Sequence, residues 1–206
     1  MSSSKKGGMF ILSSPSGAGK TTLVKKISRN KNFSVSISHT TRPPRPNEKH
    51  GKDYYFISKS NFKKLIKKGK FLEHAKVFGN YYGSSKDLII EKLQKGINIV
   101  FDIDWQGTRQ IRNKKLKYNL LTIFILPPSK NELLNRLVKR EKKNVKTVHK
   151  RMRGFKKDLS RWKEYDQVVI NDDLKKCYKK IMHIIKKNKT TFDRKIINKH
   201  VKKLLS

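Results

Sequence analysis

At 206 residues the chain has room for one globular domain carrying small inserted subdomains. It holds 52 Lys and Arg against 15 Asp and Glu, a formal net charge of +37. Apolar residues make up 35% of it, gathered into short runs such as Met9–Leu12, Ile97–Ile103 and Leu120–Pro127, which argue against wholesale disorder. None of these runs approaches the ~20 residues that a membrane helix needs. The single cysteine, Cys177, excludes an internal disulfide and a Cys-cluster zinc site. These features predict a soluble, cytoplasmic protein.

In chain order, Met9–Ser13 reads as a buried strand, followed by a Gly/Ser/Pro loop and a helix over Lys20–Arg29. Phe33–Ser38 alternates as a second strand. His39–Asp53 reads as a proline-stiffened loop and Tyr54–Ile57 as a short strand. Ser58 is placed to cap a helix carrying Phe62, Leu65 and Ile66 and stopped by Gly69. Phe71–Phe78 is strand-like, Gly79–Ser85 reads as a turn, and Lys86–Lys95 as a helix ended by Gly96. Ile97–Asp102 and Leu120–Leu126 are near-continuous apolar strands, the pattern of a parallel sheet covered on both faces. Ser129 caps a helix to Arg140, and a second helix spans Val145–Leu159. Val168–Asn171 is a last strand, followed by a helical stripe of Leu174, Cys177, Tyr178, Ile181, Met182 and Ile185. Alternating strands and helices predict an α/β fold with a mainly parallel sheet and two attachments, one before Ile97 and one after Pro128.

The loop Ser14-Pro-Ser16-Gly17-Ala18-Gly19-Lys20-Thr21 fits the phosphate-loop spacing G-x-x-x-x-G-K-[ST], with Ser14 at the first glycine. Its glycines let backbone N–H groups face phosphate oxygens, Lys20 adds a cation, and the Thr21 hydroxyl suits Mg²⁺. Thr22 opens the following helix. Arg42 and Arg45 lie three apart among prolines, which suits bidentate capture of a second phosphate. Tyr54, Tyr82, Ser84 and the isolated carboxylate of Glu73 follow. Asp102 and Asp104 sit at the carboxyl end of an apolar strand, where open α/β sheets bind ligands; Asp102 takes the Walker B position. Asp104 is also placed to cap a helix starting at Trp105. Arg136 and Arg140 share a helix face, with Arg151 on the next helix.

The strings SPSGAGKTTL, SHTTRPPRPNEKHGKDYYF, FLEHAKVFGNYYGSS, DIDWQG, ILPPS and VINDDL together resemble bacterial guanylate kinases in order and spacing, over roughly residues 9–175. The resemblance implies a P-loop core with a GMP-binding insertion and a mobile lid, and transfer of the γ-phosphoryl of ATP to GMP with Mg²⁺. It divides the chain into core (1–36), GMP-binding insertion (37–89), core (90–128), lid (129–159), and core with basic C-terminal helices (160–206). It assigns Ser16, Gly17, Ala18, Gly19, Lys20, Thr21, Thr22 and Asn171 to ATP, and Thr21 and Asp102 to the metal. Arg42, Arg45, Tyr54 and Tyr82 would hold the GMP phosphate; Ser38, Glu73 and Ser84 would read guanine, with Asp104 orienting them. Lys20, Arg42, Arg136, Arg140 and Arg151 would be catalytic. The chain departs from the family in its lid, where Glu141-Lys-Lys-Asn-Val-Lys stands in place of a more acidic segment.

The excess of Lys over Arg, with abundant Asn and Ile, follows A/T-rich codons. No RNP aromatic motif, zinc finger or leucine heptad accompanies it. The expected partners are therefore ATP and GMP, with no specific nucleic acid and no membrane; a homo-oligomer stays open.

Overall fold

A computed structural model describes residues 6–141, 144–187 and 192–206. Its central sheet has five strands: β1 (Met9–Ser13), β2 (Phe33–Val35), β7 (Asn98–Asp102), β8 (Leu120–Leu126) and β9 (Gln167–Ile170). Their spatial order is β2-β7-β1-β8-β9, every neighbouring pair parallel. β1, β7 and β8 are buried almost throughout, which is why their sequences are apolar without alternation.

Helices cover both faces. On one side Phe10, Leu12, Val100, Ile123 and Ile125 pack with α1 (Lys20–Ile27), α5 (Lys130–Arg140), α6 (Val145–Leu159), α7 (Leu174–Lys187) and α8 (Arg194–Leu205). On the other, Met9, Ile11, Ile99 and Phe101 meet α3 (Lys86–Gln94) and α4 (Trp105–Asn113). Cys177 lies in the first of these cores, 2% exposed, and burial pushes its thiol up to about 12.

A second sheet of four strands is inserted between β2 and α3. It comprises β3 (Ser38–Thr40), β4 (Tyr55–Phe56), β5 (Phe71–Val77) and β6 (Asn80–Ser85), in the order β4-β3-β6-β5, with α2 (Lys59–Lys67) between β4 and β5. Here the structure departs from two expectations. Phe33–Ser38 is not one strand: β2 ends at Val35, and the chain crosses at Ser36–Ile37 to open the second sheet at Ser38. Gly79–Ser85 is not a turn: the reversal is confined to Phe78 and Gly79, with φ of 49° and 89°, and β6 runs antiparallel to both β3 and β5. The Gly and Ser residues of β6 mimic turn composition, but they serve close packing. A Cβ at Gly83 would lie 3.0 Å from the rings of Phe62 and Phe71.

Candidate active site

The loop from β1 to α1 wraps the sheet's carboxyl edge. Gly17 and Gly19 take φ of 96° and 94°, conformations that L side chains rarely adopt, so the curl of the loop depends on them. Gly19 is also closely approached: a Cβ there would lie 2.3 Å from Asn171 Nδ2. The Lys20 ammonium pairs with Asp102 Oδ1 at 2.6 Å and donates to the Ile103 carbonyl at 3.0 Å. Thr21 Oγ1 donates to Asp102 Oδ2 at 2.6 Å. Parallel register explains the meeting: Leu12 stands beside Asp102, so the loop leaving β1 begins level with the acid that ends β7.

Facing this loop across a cleft of about 740 Å³ stands the second sheet. Antiparallel register sets Ser84 opposite both Ser38 and Glu73. Glu73 is 3% exposed and accepts a 2.6 Å hydrogen bond from Ser84 Oγ. Burial pushes its carboxyl up to about 7; the Ser84 bond opposes this and the charge of Asp104 adds to it. In the same cleft, Arg42 Nη2 donates to both oxygens of Glu48, at 2.9 and 2.8 Å, and its guanidinium lies 5.4 Å from the Tyr54 ring centre. Arg45 gives Glu48 its backbone N–H at 2.8 Å. Burial works against ionisation of Glu48, but the Arg45 amide and the Arg42 guanidinium hold its pKa below the ordinary carboxylate value. Tyr54 and Tyr82 pack edge to face, 6.0 Å apart.

The helical pair α5–α6 closes the third side. Arg140 Nη2 and Arg151 Nη1 both donate to Ser16 Oγ at 2.9 Å, and Arg136 Nε pairs with Glu132 at 2.8 Å.

The structure thus gathers Ser16, Gly17, Gly19, Lys20, Thr21, Thr22, Ser38, Arg42, Arg45, Tyr54, Glu73, Tyr82, Asp102, Asp104, Arg136, Arg140 and Arg151 around one cleft. Three expected residues stand behind it. Ala18 is fully buried, and its carbonyl accepts from Asn171 Nδ2 at 2.8 Å. Asn171 braces the loop from beneath, and Ser84 sits behind Glu73. Asp104 caps α4, with Oδ1 accepting from the N–H groups of Gln106 and Gly107.

Two residues of the site escaped sequence reasoning, Asp158 in the cleft and Gly107 behind it. Asp158 is half-buried in α6, and burial, then the charge of Asp104, pushes its carboxyl up to about 6. Gly107 stands close against Glu73: a Cβ there would lie 2.3 Å from Glu73 Oε2. The glycine itself was the available signal, three residues after a predicted cap. Among the described residues no group of three or more His, Cys, Asp or Glu could hold a metal by itself.

A Gly-rich loop between a buried parallel strand and a helix, its lysine and threonine both on the strand-end aspartate, defines a P-loop nucleotide-binding protein. The guanylate kinase family model matches residues 6–188, and the chain belongs to that family. A guanylate kinase from Ruegeria pomeroyi is 42% identical over 98% of this chain and 96% of its own length. One from Vibrio parahaemolyticus is 50% identical over 82% of each. The crystal structure of guanylate kinase from Anaplasma phagocytophilum superposes with a TM-score of 0.71 at 32% identity, covering 91% of this chain and 88% of that one. Membership makes this chain a nucleoside monophosphate kinase, an ATP:GMP phosphotransferase.

Proposed function

We propose that the cleft carries out γ-phosphoryl transfer from ATP to GMP with the phosphate loop as donor site and the second sheet as acceptor site. The observation that carries this reading is Glu73, a buried carboxylate on the second sheet with Ser84 bonded to it and Ser38 on the far side of Ser84, in the cleft that the phosphate loop also lines. Guanine presents N1–H and N2–H₂ side by side, and one carboxylate can accept both. Adenine offers no such pair and would leave a buried acid unmatched. Sites built on substrate hydrogen bonds reject analogues lacking them by about 10⁴-fold or more.

In this reading Arg42, Arg45, Tyr54 and Tyr82 hold the GMP phosphate. The backbone of Ser16–Thr22, with Lys20, holds the ATP phosphates. Phosphoryl transfer needs alignment and compensation of charge more than covalent help, and an arginine at the transferring group can contribute 10³–10⁵ in rate. Arg136, Arg140 and Arg151 supply that charge from α5–α6, acting as a lid. Asn171 supports the ATP side by holding Ala18, so that the loop amides keep their aim. Asp104 acts on the acceptor side by fixing the start of α4 beneath Glu73.

Mg²⁺ fits the residues present. Thr21 Oγ1 and the Asp102 carboxylate are adjacent hard oxygen donors, and Mg²⁺ is commonly held by one or two carboxylates together with substrate phosphates. Bound there, it would neutralise charge between the β- and γ-phosphates. No described helix is long and apolar enough to cross a membrane, which suits an enzyme drawing on cytoplasmic nucleotides.

Coupled ADP release measured with GMP, AMP, UMP and dTMP tests the assignment. GMP is expected to be the only efficient acceptor. Comparable turnover of AMP would overturn the role given to Glu73.

A further inference from the structure

Glu141, where α5 ends, has no role in the scheme above, yet three guanidiniums from three elements converge on its Oε1. Arg45 Nη2 comes from the loop between β3 and β4, at 3.4 Å. Arg140 Nε comes from α5, at 3.0 Å. Arg151 Nε comes from α6, at 3.1 Å, as a charge contact rather than an aligned hydrogen bond. The Glu141 side chain is only 11% exposed. In a chain with 15 acids among 206 residues, one of them is spent here.

The need for a negative centre is visible in Arg151. Burial, then the charge of Arg140, lowers its pKa, and Arg45 adds to the effect; Glu141 opposes it. Three like charges held this close repel one another unless an anion stands between them. Several guanidinium N–H groups aimed at one oxygen is also the arrangement that a phosphate oxygen takes among arginines.

We propose that Glu141 is a built-in stand-in for a phosphate oxygen, holding Arg45 of the insertion against Arg140 and Arg151 of the helical pair until a nucleotide phosphate displaces it. The proposal rests on the assignment of these arginines to substrate phosphates. The acceptor side and the lid are thereby pre-gathered by an internal anion. A second tie, from the Lys150 ammonium to the Phe78 carbonyl at 3.2 Å, joins the same two parts without involving Glu141.

The test uses spin labels on the full chain at N47C and K146C, both exposed positions on the two parts to be compared. Cys177 is buried and its thiol is held protonated, so it stays unlabelled. E141Q removes the charge and keeps the shape; E141D keeps the charge. Without nucleotide, the label distance should lengthen and broaden in E141Q, and remain near that of the unsubstituted chain in E141D. Inorganic pyrophosphate should restore the short distance in E141Q and leave the unsubstituted chain unchanged. Competitive inhibition by pyrophosphate against ATP should strengthen about fivefold in E141Q, the Coulomb interaction of unit charges about 4 Å apart in a water-like dielectric. Coincident distances in E141Q and the unsubstituted chain would overturn the proposal, and so would equal inhibition of the two by pyrophosphate. Failure of the underlying phosphate assignment would show instead as absent GMP turnover in the unsubstituted chain, which the distance measurement does not depend on.

Discussion

Glu73 is asked to be buried and charged at once, and the two demands conflict. Its pKa in the folded chain is pushed up to about 7, whereas an unfolded glutamate titrates near 4.3. The folded state therefore binds this proton more tightly than the unfolded state. Stability from the protonated form is fully present below the unfolded pKa and is lost as pH rises through the folded one. At about 1.4 kcal/mol per unit, the loss is on the order of 4 kcal/mol. Glu73→Gln removes the titration while still offering an acceptor to Ser84. Urea unfolding of both proteins between about pH 5 and pH 8 should show the difference moving in favour of the glutamine variant. GMP turnover should collapse in that variant at every pH, because an amide presents its own N–H₂ to one of the two guanine donors. A constant stability difference across the range would mean that Glu73 stays ionised when folded.

At the scale of elements, the start of α4 supports Glu73, the acid proposed to read the base. Asp104 fixes the first turn, and Gly107 leaves the space that the Glu73 carboxylate fills. Gly107→Ala would put a methyl group 2.3 Å from Glu73 Oε2, so the flexible end of Glu73 is what must give way. Helix stability itself gains roughly 0.5–1 kcal/mol from alanine over glycine. The expected outcome is a Tm held or raised, an unchanged KM for ATP and a KM for GMP up about tenfold, equivalent to ~1.4 kcal/mol. Parallel rises in both KM values would point to general damage of the fold. The contrast between Gly17 and Gly107 shows how far sequence reasoning reaches. Gly17 belongs to a contiguous motif flanked by a strand and a helix, and was found from spacing alone. Gly107 matters only because β5 packs across α4, a contact between distant segments that local pattern cannot reveal. Glu141 is similar: Arg45, 96 residues away, meets Arg140 and Arg151 there. The strands misread at Phe33–Ser38 and Gly79–Ser85 have the same cause. Ser36–Ile37 does not interrupt the local alternation, and a Gly/Ser-rich strand beside packed aromatic rings has the composition of a turn.

For the whole molecule, the +37 charge raises the question of whether the basic surface does anything. The cations that line the cleft are five arginines and three lysines, Lys20, Lys76 and Lys157. Those of α7 and α8 lie outside it, while Ile181, Ile184, Val201 and Leu204 hold these helices to the core. Lys186, Lys187, Lys202 and Lys203 are exposed. Replacing these four by glutamine should leave kcat/KM for GMP within about twofold and weaken only salt-sensitive binding to polyanions. A large fall in kcat/KM in the folded variant would show that the basic helices steer or hold anionic substrates.

The position of β1 bears on how the molecule comes to be folded. The strand that delivers the phosphate loop precedes every other described strand in sequence, yet it lies in the middle of the central sheet, between Asn98–Asp102 and Leu120–Leu126. Neither neighbour exists until Asn98 has been made, and the second sheet is completed before either appears. During synthesis Met9–Ser13 is an apolar segment without a partner, and such segments are exposed to misassociation until their partners arrive. The nascent chain should therefore acquire a protease-resistant second sheet early. The nucleotide-binding edge should form late and all at once, when Leu126 has cleared the ribosome and β1 closes between its two neighbours.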